Sequence, residues 1–346
     1  MSIRKLQRSD RRFVGNIHGT RTASRLVLTL LFFAALSALA VAQGRYTVNR
    51  LVAPPLQPRE SVPEPEYIPR NTSPIHWETD YENTRSTADI SGRNLLIYLY
   101  ADSITKQPEA LTSVSVIPAC RKFDTVILDD ELVRAGLDQF MLLKLPMDAK
   151  ITHEDGEQVS IYSLPGFEHM LGHPGLIVID FANKDRPYCG EVVGILPFLR
   201  GECPTEKQMA TFLNLPPGTL TQRTLTYAVR IHPDQPLSSN GLPLPIVVKE
   251  ALDHALYQAE RGVLGHQNFG ARTQRIKEVL GSGSPSEICA QSQSGENLFE
   301  AAIACMRAWR YSSAHWSIAR RNHTYYGYDM ARGKNGAWYA VGFFID

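Results

Sequence analysis

The sequence predicts an α/β domain followed by an α+β domain, and two observations support this prediction. Between residues 76 and 215, short apolar runs suited to buried strands alternate with amphipathic stretches. Between residues 246 and 346, helical patterns are followed by two strand-like runs around Asn335-Gly336, a dipeptide typical of a hairpin turn. The segment 216–245 is rich in proline and is predicted to be a linker between the two domains.

Residues 1–42 carry the signs of an export signal. Seven of the 36 basic residues of the chain lie there, against one of its 35 acidic residues. The run 26–42 is apolar and uncharged, and it ends in Ala40-Val41-Ala42, a small-x-small cleavage pattern. We expect either a cleaved signal peptide or a retained signal anchor that contacts the membrane through residues 26–42. Either alternative predicts an extracytoplasmic protein, secreted, periplasmic or anchored to the membrane.

The remainder of the chain narrows the possible partners. Residues 43–75 contain seven prolines and predict an extended linker. Outside residues 1–42, acidic residues outnumber basic ones. No basic face is expected, which argues against nucleic acid as a partner.

The elements of the first domain follow from the placement of apolar residues. The run 94–100 is apolar and aromatic after its first residue, which favours a central strand buried on both faces. Residues 121–137 carry apolar side chains at helical spacing and predict one amphipathic helix. Thr205 is a suitable N-cap for a closing helix. Further strands are predicted at 140–145, 176–180 and 192–196.

In the second domain, helices are predicted at 246–261 and 300–310, and the strands of the hairpin at 325–331 and 337–344. Arg272 and Arg275 are predicted to lie on a helix surface, with solvent or Glu278 as partners. His254 lies on the first of these helices and is predicted to take a core or surface position, with an approach to a cleft of this domain as the alternative.

Five cysteines follow the export signal, and an oxidising compartment permits disulfides. Cys189–Cys203 and Cys289–Cys305 are close in sequence and are the candidate pairs, with Cys120 left free. The alternative is a set of buried, unpaired thiols, and the sequence leaves the connectivity open.

The first domain resembles the thioredoxin-like family. The resemblance lies in the predicted central strand at 94–100, in His173-Pro174-Gly175 before the next strand, and in the segment 190–194 after it. It implies that Pro174 is a cis-proline candidate that faces the family's redox site.

The redox motif of that family, Cys-x-x-Cys, is missing from the chain. One register places its two positions at Ile104 and Gln107, and another pairs Ile117 with Cys120. We therefore expect a scaffold or binding role for this domain. Single-cysteine thiol exchange through Cys120 is the weaker alternative.

The second domain resembles the CAP superfamily, which comprises cysteine-rich secretory proteins, antigen 5 and pathogenesis-related proteins. The residues that carry the resemblance are His266, Glu287, the block Trp309-x-x-Ser312-x-x-His315, Tyr326-Gly327-Tyr328 and the segment 336–340. The resemblance implies an α-β-α sandwich and a cleft of two histidines and two acids, which binds a divalent cation in some members.

Carried over to this chain, the cleft contains His266, Glu287 and His315, with Trp309 and Ser312 beside them. Glu296 is the alternative to Glu287 as the first acid, and the second acid has no match.

Two neutral imidazoles and a carboxylate are able to hold zinc with a water in the fourth position, so His266, His315 and Glu287 form a candidate metal site. The alternative is a structural role in which the two histidines fix the cleft.

The function expected from these observations is that of an exported, non-catalytic protein. Its CAP-like cleft would bind an envelope component or an extracellular ligand. The alternative is a metal-dependent hydrolase that uses the same cleft.

Overall fold

Two four-stranded sheets organise the computed structural model, which describes residues 73–103, 116–152 and 156–346. The predicted export signal and nearly all of the first proline-rich linker lie outside these residues. The first sheet and a small hairpin contain β1 (Leu95–Tyr100), β2 (Met141–Pro146), β3 (Lys150–Thr152), β4 (Gln158–Ser160), β5 (Gly175–Ile179) and β6 (Val192–Pro197). The sheet order is β2-β1-β5-β6, with β1 parallel to β2 and the other pairs antiparallel. Every residue of β5 and β6 is buried, as expected for strands covered on both faces.

Four helices accompany this sheet: α1 (Tyr81–Ser91), α2 (Ile117–Thr125), α3 (Glu131–Leu137) and α4 (Glu206–Leu213). The single helix expected over 121–137 is in fact two helices separated by a short 3₁₀ turn. Asp130 explains the break, because its carboxylate accepts hydrogen bonds from the backbone N–H groups of Leu132 and Val133 and so starts α3. Thr205 caps α4 as predicted, in a capping box with Gln208.

The segment 216–245 contains α5 (Leu220–Arg230), where a linker was expected. The prolines misled the prediction because they flank the helix: Pro216 and Pro217 precede its N-cap Thr219, and Pro233 follows its end. The seven consecutive residues 223–229 are all buried. The helix is enclosed because it packs against β6 of the first sheet and also against elements of the second.

The second sheet is built from β7 (Leu242–Pro243), β8 (Pro285–Gln291), β9 (Tyr325–Arg332) and β10 (Trp338–Ile345), in the order β7-β9-β10-β8. Strands β8, β9 and β10 pair antiparallel, and β7 is parallel to β9. Its helices are α6 (Pro245–Arg261), α7 (Phe269–Leu280), α8 (Leu298–Tyr311) and α9 (Ser313–Ala319). The hairpin turn contains Gly336 with φ 79°, as the Asn-Gly pair predicted.

Helices cover both faces of the second sheet, and alternate residues of β10 show which helix lies on which face. Tyr339 and Val341 pack in one cluster with Ala251 of α6. Ala340 and Phe344 pack in another cluster, with residues of α8. This alternation is expected of a strand whose two faces are both buried. At Gly327 of β9, an added Cβ would lie 2.5 Å from the backbone nitrogen of Val248, so α6 rests directly on the strand.

All five cysteines lie in the described part of the chain and all are unpaired, so the structure contradicts both candidate disulfides. Cys289 packs on the α6 side of the second sheet and Cys305 on the α8 side. Cys189 lies before β6 and Cys203 lies after it. A six-residue strand is roughly 20 Å long, so β6 holds the two cysteines at its opposite ends. In both pairs a strand or a sheet lies between the thiols. Within the described residues, no helix is long and apolar enough to cross a membrane.

Candidate functional site

The centre of the candidate site is Glu287, which lies on β8 opposite Phe343 of β10. Its side chain is only 1% exposed. Cys289 follows two positions later and therefore points to the same face of the sheet, where α6 and α7 pack. A carboxylate in such a place requires partners, since a buried unpaired charge is strongly disfavoured.

Arg272 of α7 neutralises this carboxylate. Its Nη2 donates to Oε2 at 2.6 Å and to Oε1 at 2.9 Å, and its Nε donates to Oε2 at 2.9 Å. The Arg272 side chain is 4% exposed, so the prediction that it lies on a helix surface is wrong. The planar guanidinium matches a carboxylate in this two-pronged geometry, which explains why it accompanies Glu287 into the interior.

Arg275 was also predicted to have solvent or Glu278 as its partner, and the structure shows a different partner. It pairs with the buried carboxylate of Glu250 at 2.6 Å, while Glu278 accepts a hydrogen bond from Gln274. Arg275 itself remains half exposed.

His266 lies in the short loop between α6 and α7. This loop begins at Gly262, which caps α6 with φ 66°, and ends at Asn268, with φ 60°. The Nδ1 atom of His266 lies 2.9 Å from Oε1 of Glu287, and its side chain is 47% exposed. Because the carboxylate only accepts, we assign the proton to Nδ1. Glu287 thereby fixes the orientation of an imidazole that still reaches solvent.

His315 lies beside His266. It lies in the first turn of α9, and the two ring centroids are 5.8 Å apart. Burial, and the neighbouring His266, lower the pKa of His315, so its ring is neutral at pH 7. The structure therefore brings His266, Glu287 and His315 into one cluster.

Trp309 and Ser312 contribute to this cluster indirectly. Trp309 is fully buried in the last turn of α8, with its ring 5.8 Å from that of Tyr328. Ser312 is the N-cap of α9, and its hydroxyl accepts a hydrogen bond from the backbone N–H of His315 at 3.4 Å. These two residues therefore anchor and orient the helix that carries His315.

Two further residues, His254 and Cys289, complete the cluster. The Nε2 atom of His254 lies 2.8 Å from the Gly265 carbonyl and 3.7 Å from Oε1 of Glu287. The thiol of Cys289 lies 3.7 Å from Oε1 and 3.7 Å from Nδ1 of His266. Burial lowers the pKa of His254 and raises that of Cys289, so both are neutral. The spacing Glu287-x-Cys289 on one strand was the sequence signal for the thiol, since alternate strand residues share a face.

Glu296, the alternative acid, lies elsewhere. It is in the turn before α8, where its Oε2 accepts a hydrogen bond from the backbone N–H of Gln293 at 3.2 Å. Its side chain lines a separate cleft of about 600 Å³, formed by the end of β6 with α5 and α8. Glu287 is thus the carboxylate in contact with His266.

Beside the first sheet, Pro174 immediately precedes β5, and its carbonyl accepts a hydrogen bond from the N–H of Phe198 at 2.8 Å. Cys120 lies in α2 with only 2% exposure, and burial raises its pKa. Ile117, three residues earlier, is the first residue of that helix. The alternative positions Ile104 and Gln107 lie outside the described residues.

No family model, curated protein or solved structure matches this chain.

Proposed function

We propose that this chain is an exported, non-catalytic ligand-binding protein, in which a CAP-like domain carries the binding cleft and a thioredoxin-like domain serves as a scaffold. One observation carries the proposal. The buried Glu287–Arg272 pair holds His266 in place, while half of that imidazole remains exposed beside His315. A buried ion pair that orients an exposed side chain prepares a surface for recognition.

The architecture supports the two resemblances on which this proposal draws. In the first domain, a helix follows the central strand β1, and Pro174 precedes an antiparallel strand beside it. In the second domain, helices on both faces of a mostly antiparallel sheet fit an α-β-α sandwich.

The state of Cys120 supports a scaffold role for the first domain. A thiol must be accessible and partly ionised to attack a disulfide, but Cys120 is buried and its pKa is raised. The position that would hold its partner is Ile117. Dithiol exchange is therefore not the proposed activity.

The surroundings of the cleft indicate the chemistry of the ligand. Val263 and Leu264 lie three and two residues before His266 in its loop and are 43% and 46% exposed. Tyr311, next to the N-cap of α9, is 82% exposed. Imidazole rings exchange hydrogen bonds with polar groups of a ligand, and the exposed apolar side chains near them favour a ligand with an apolar portion. We therefore propose an envelope or extracellular ligand that has both a polar group and an apolar portion.

The test is a titration followed by nuclear magnetic resonance of protein labelled at histidine. The probes are phosphatidylglycerol vesicles, phosphatidylcholine vesicles and soluble peptidoglycan fragments. At least one probe is expected to shift the ring resonances of His266 and His315, and His315→Ala is expected to weaken that binding at least tenfold. His76→Ala is the matched control, since 86% of the His76 side chain is exposed to solvent. Absence of any shift with all three probes, or equal binding by the His315 variant, would overturn the proposal.

A further inference from the structure

We infer that the cleft formed by α5, α8 and the segment after β6 binds a short peptide with apolar side chains and two charged termini. The cleft has a volume of about 600 Å³. Small-ligand sites commonly measure about 300–1,000 Å³ and often lie where two domains meet. His266, Glu287 and His315 do not line this cleft, so the inference is independent of the ligand-binding function proposed above.

Apolar side chains from both helices line the cleft. Phe299 and Ile303 are four residues apart on α8, so they lie on one face of that helix. Tyr227 of α5 packs beside them, with its ring centroid 5.9 Å from that of Phe299, and Ile231 follows it one helical turn later. Phe299, Ile303 and Ile231 are only partly buried, which leaves part of each side chain to contact a ligand. A surface of this kind favours apolar groups in the occupant.

Two opposite charges at this cleft have no partner. Arg307 lies four residues after Ile303 and continues the same face of α8, while Glu202 lies in the segment after β6. Both residues line the cleft and both are exposed. Within the described part of the chain, neither side chain forms an ion pair or a hydrogen bond. The termini of a peptide carry opposite charges, so Glu202 is available to its ammonium group and Arg307 to its carboxylate.

The other titratable side chains near these two charges are engaged or neutral. Oε2 of Glu300 accepts a hydrogen bond from Nδ2 of Asn297 at 2.6 Å, and its Oε1 lies 4.0 Å from Nη2 of Arg200. Glu296 accepts a hydrogen bond from a backbone N–H at 3.2 Å. Burial lowers the pKa of His232, so its ring adds no charge at pH 7. One positive and one negative charge remain for a ligand, which favours a zwitterion over a simple anion or cation.

The backbone of Arg200 supports a functional role for the segment after β6. Arg200 lines the cleft and has φ 56° and ψ 20°, a left-handed conformation that is uncommon for a residue other than glycine. Residues held in such conformations cluster at binding sites. The side chain of Arg200 is 85% exposed, so burial of this side chain does not explain the conformation.

The test is isothermal titration calorimetry of the full chain with the tripeptide leucyl-phenylalanyl-leucine. Arg307→Gln and Glu202→Gln are each expected to weaken binding at least about tenfold, because each removes a charge-assisted hydrogen bond. The same tripeptide with acetylated and amidated termini should also bind at least about tenfold more weakly. Arg320→Gln is the matched control, since Arg320 is an exposed arginine that does not line the cleft. Near-ultraviolet circular dichroism checks that each variant is folded.

Cys203 provides a readout at the cleft itself. It lines the cleft, whereas Cys189, which is also partly exposed, does not. Burial raises the pKa of Cys203, so its alkylation by iodoacetamide is followed at alkaline pH by mass spectrometry. Tripeptide at about ten times its dissociation constant should slow alkylation of Cys203 about tenfold, because only the unoccupied cleft reacts, and should leave Cys189 unaffected.

His315→Ala should retain this protection even where it abolishes binding at His266, so the two proposals fail separately. Three results would each overturn the peptide site. They are unchanged alkylation of Cys203 in the presence of the tripeptide, unchanged binding by both Arg307→Gln and Glu202→Gln, and binding of the simple anion decanoate as tight as that of the tripeptide.

Discussion

Replacement of Arg272 by methionine tests whether the candidate site depends on a buried ion pair. The substitution keeps a long apolar side chain but removes the charge. Glu287 would then remain inside the protein, with a side chain only 1% exposed and without its counter-ion. We expect Arg272→Met to lower the free energy of unfolding by about 3–5 kcal/mol, the usual cost of leaving a buried charge unpaired.

The geometry accounts for this magnitude. At the observed separation of 2.6 Å, the attraction between the two charges is about 6 kcal/mol with an effective dielectric constant of about 20. Part of this attraction is offset in the native protein, because both groups have lost their contact with water. The expected loss is large beside a total stability of about 5–15 kcal/mol.

The measurement is urea denaturation, with the free energy of unfolding compared between variants. Arg310→Met is the matched control, because Arg310 and its partner Asp234 are 44% and 41% exposed and an exposed pair contributes at most about 1 kcal/mol. The double variant Arg272→Met/Glu287→Gln should recover much of the stability, since it removes the buried charge. A loss below about 1 kcal/mol in Arg272→Met, equal to that of the control, would refute the reasoning.

Three further predictions concern the second sheet and the thiols. Burial raises the pKa of Asp329 from 3.8 to about 6, so its contribution to stability is present below pH 4 and is lost as the pH rises through 6. Asp329→Asn should therefore be more stable than the wild-type protein by about 3 kcal/mol at pH 8 and lose this advantage at pH 4, as measured by urea denaturation at both values. Gly327→Ala should destabilise the protein by about 3 kcal/mol or more in thermal unfolding, because its Cβ would meet the backbone of α6. Gly270→Ala, in an open position of α7, should instead stabilise it by about 0.5–1 kcal/mol, and a loss of similar size in both variants would contradict the close approach of α6. Alkylation of the unfolded protein without reductant should add five groups by mass spectrometry, and a smaller number would show that some thiols are paired.

The sequence predicted six of the ten described strands, β1, β2, β5, β6, β9 and β10, because their signals are local, whereas β3, β4, β7 and β8 were not predicted. The apolar run at 94–100 corresponds to β1, and the Asn335-Gly336 turn joins β9 and β10. Thr205 was recognisable as a cap because its hydroxyl satisfies a nearby backbone N–H. The broken helix over 121–137 shows the limit of periodicity, since Asp130 is able to start a new helix within a continuous apolar pattern.

The candidate site was predictable only in part. His266, Glu287 and His315 were found through the order of residues in a family resemblance. The burial of Arg272 was missed because an arginine on an amphipathic helix usually faces solvent. Its partner Glu287 lies on β8, and only the tertiary structure shows that the two side chains pair in the interior. His254 was assigned a core or surface position, since its closeness to Glu287 on β8 is set by contacts distant in sequence.

Helix α5 has a consequence for how this protein can be divided. Thr221 and Gln222 bind the carboxylate of Asp329 in the second sheet, while Tyr227 packs edge-on against Phe212 near the first sheet. A fragment that ends at residue 215 or begins at residue 246 would lack α5. Phe212 in the first fragment, or Asp329 in the second, would then be exposed to water. A recombination event that transfers one half of the chain to another protein would also have to transfer α5. The other half would then lose a helix that covers its own hydrophobic core.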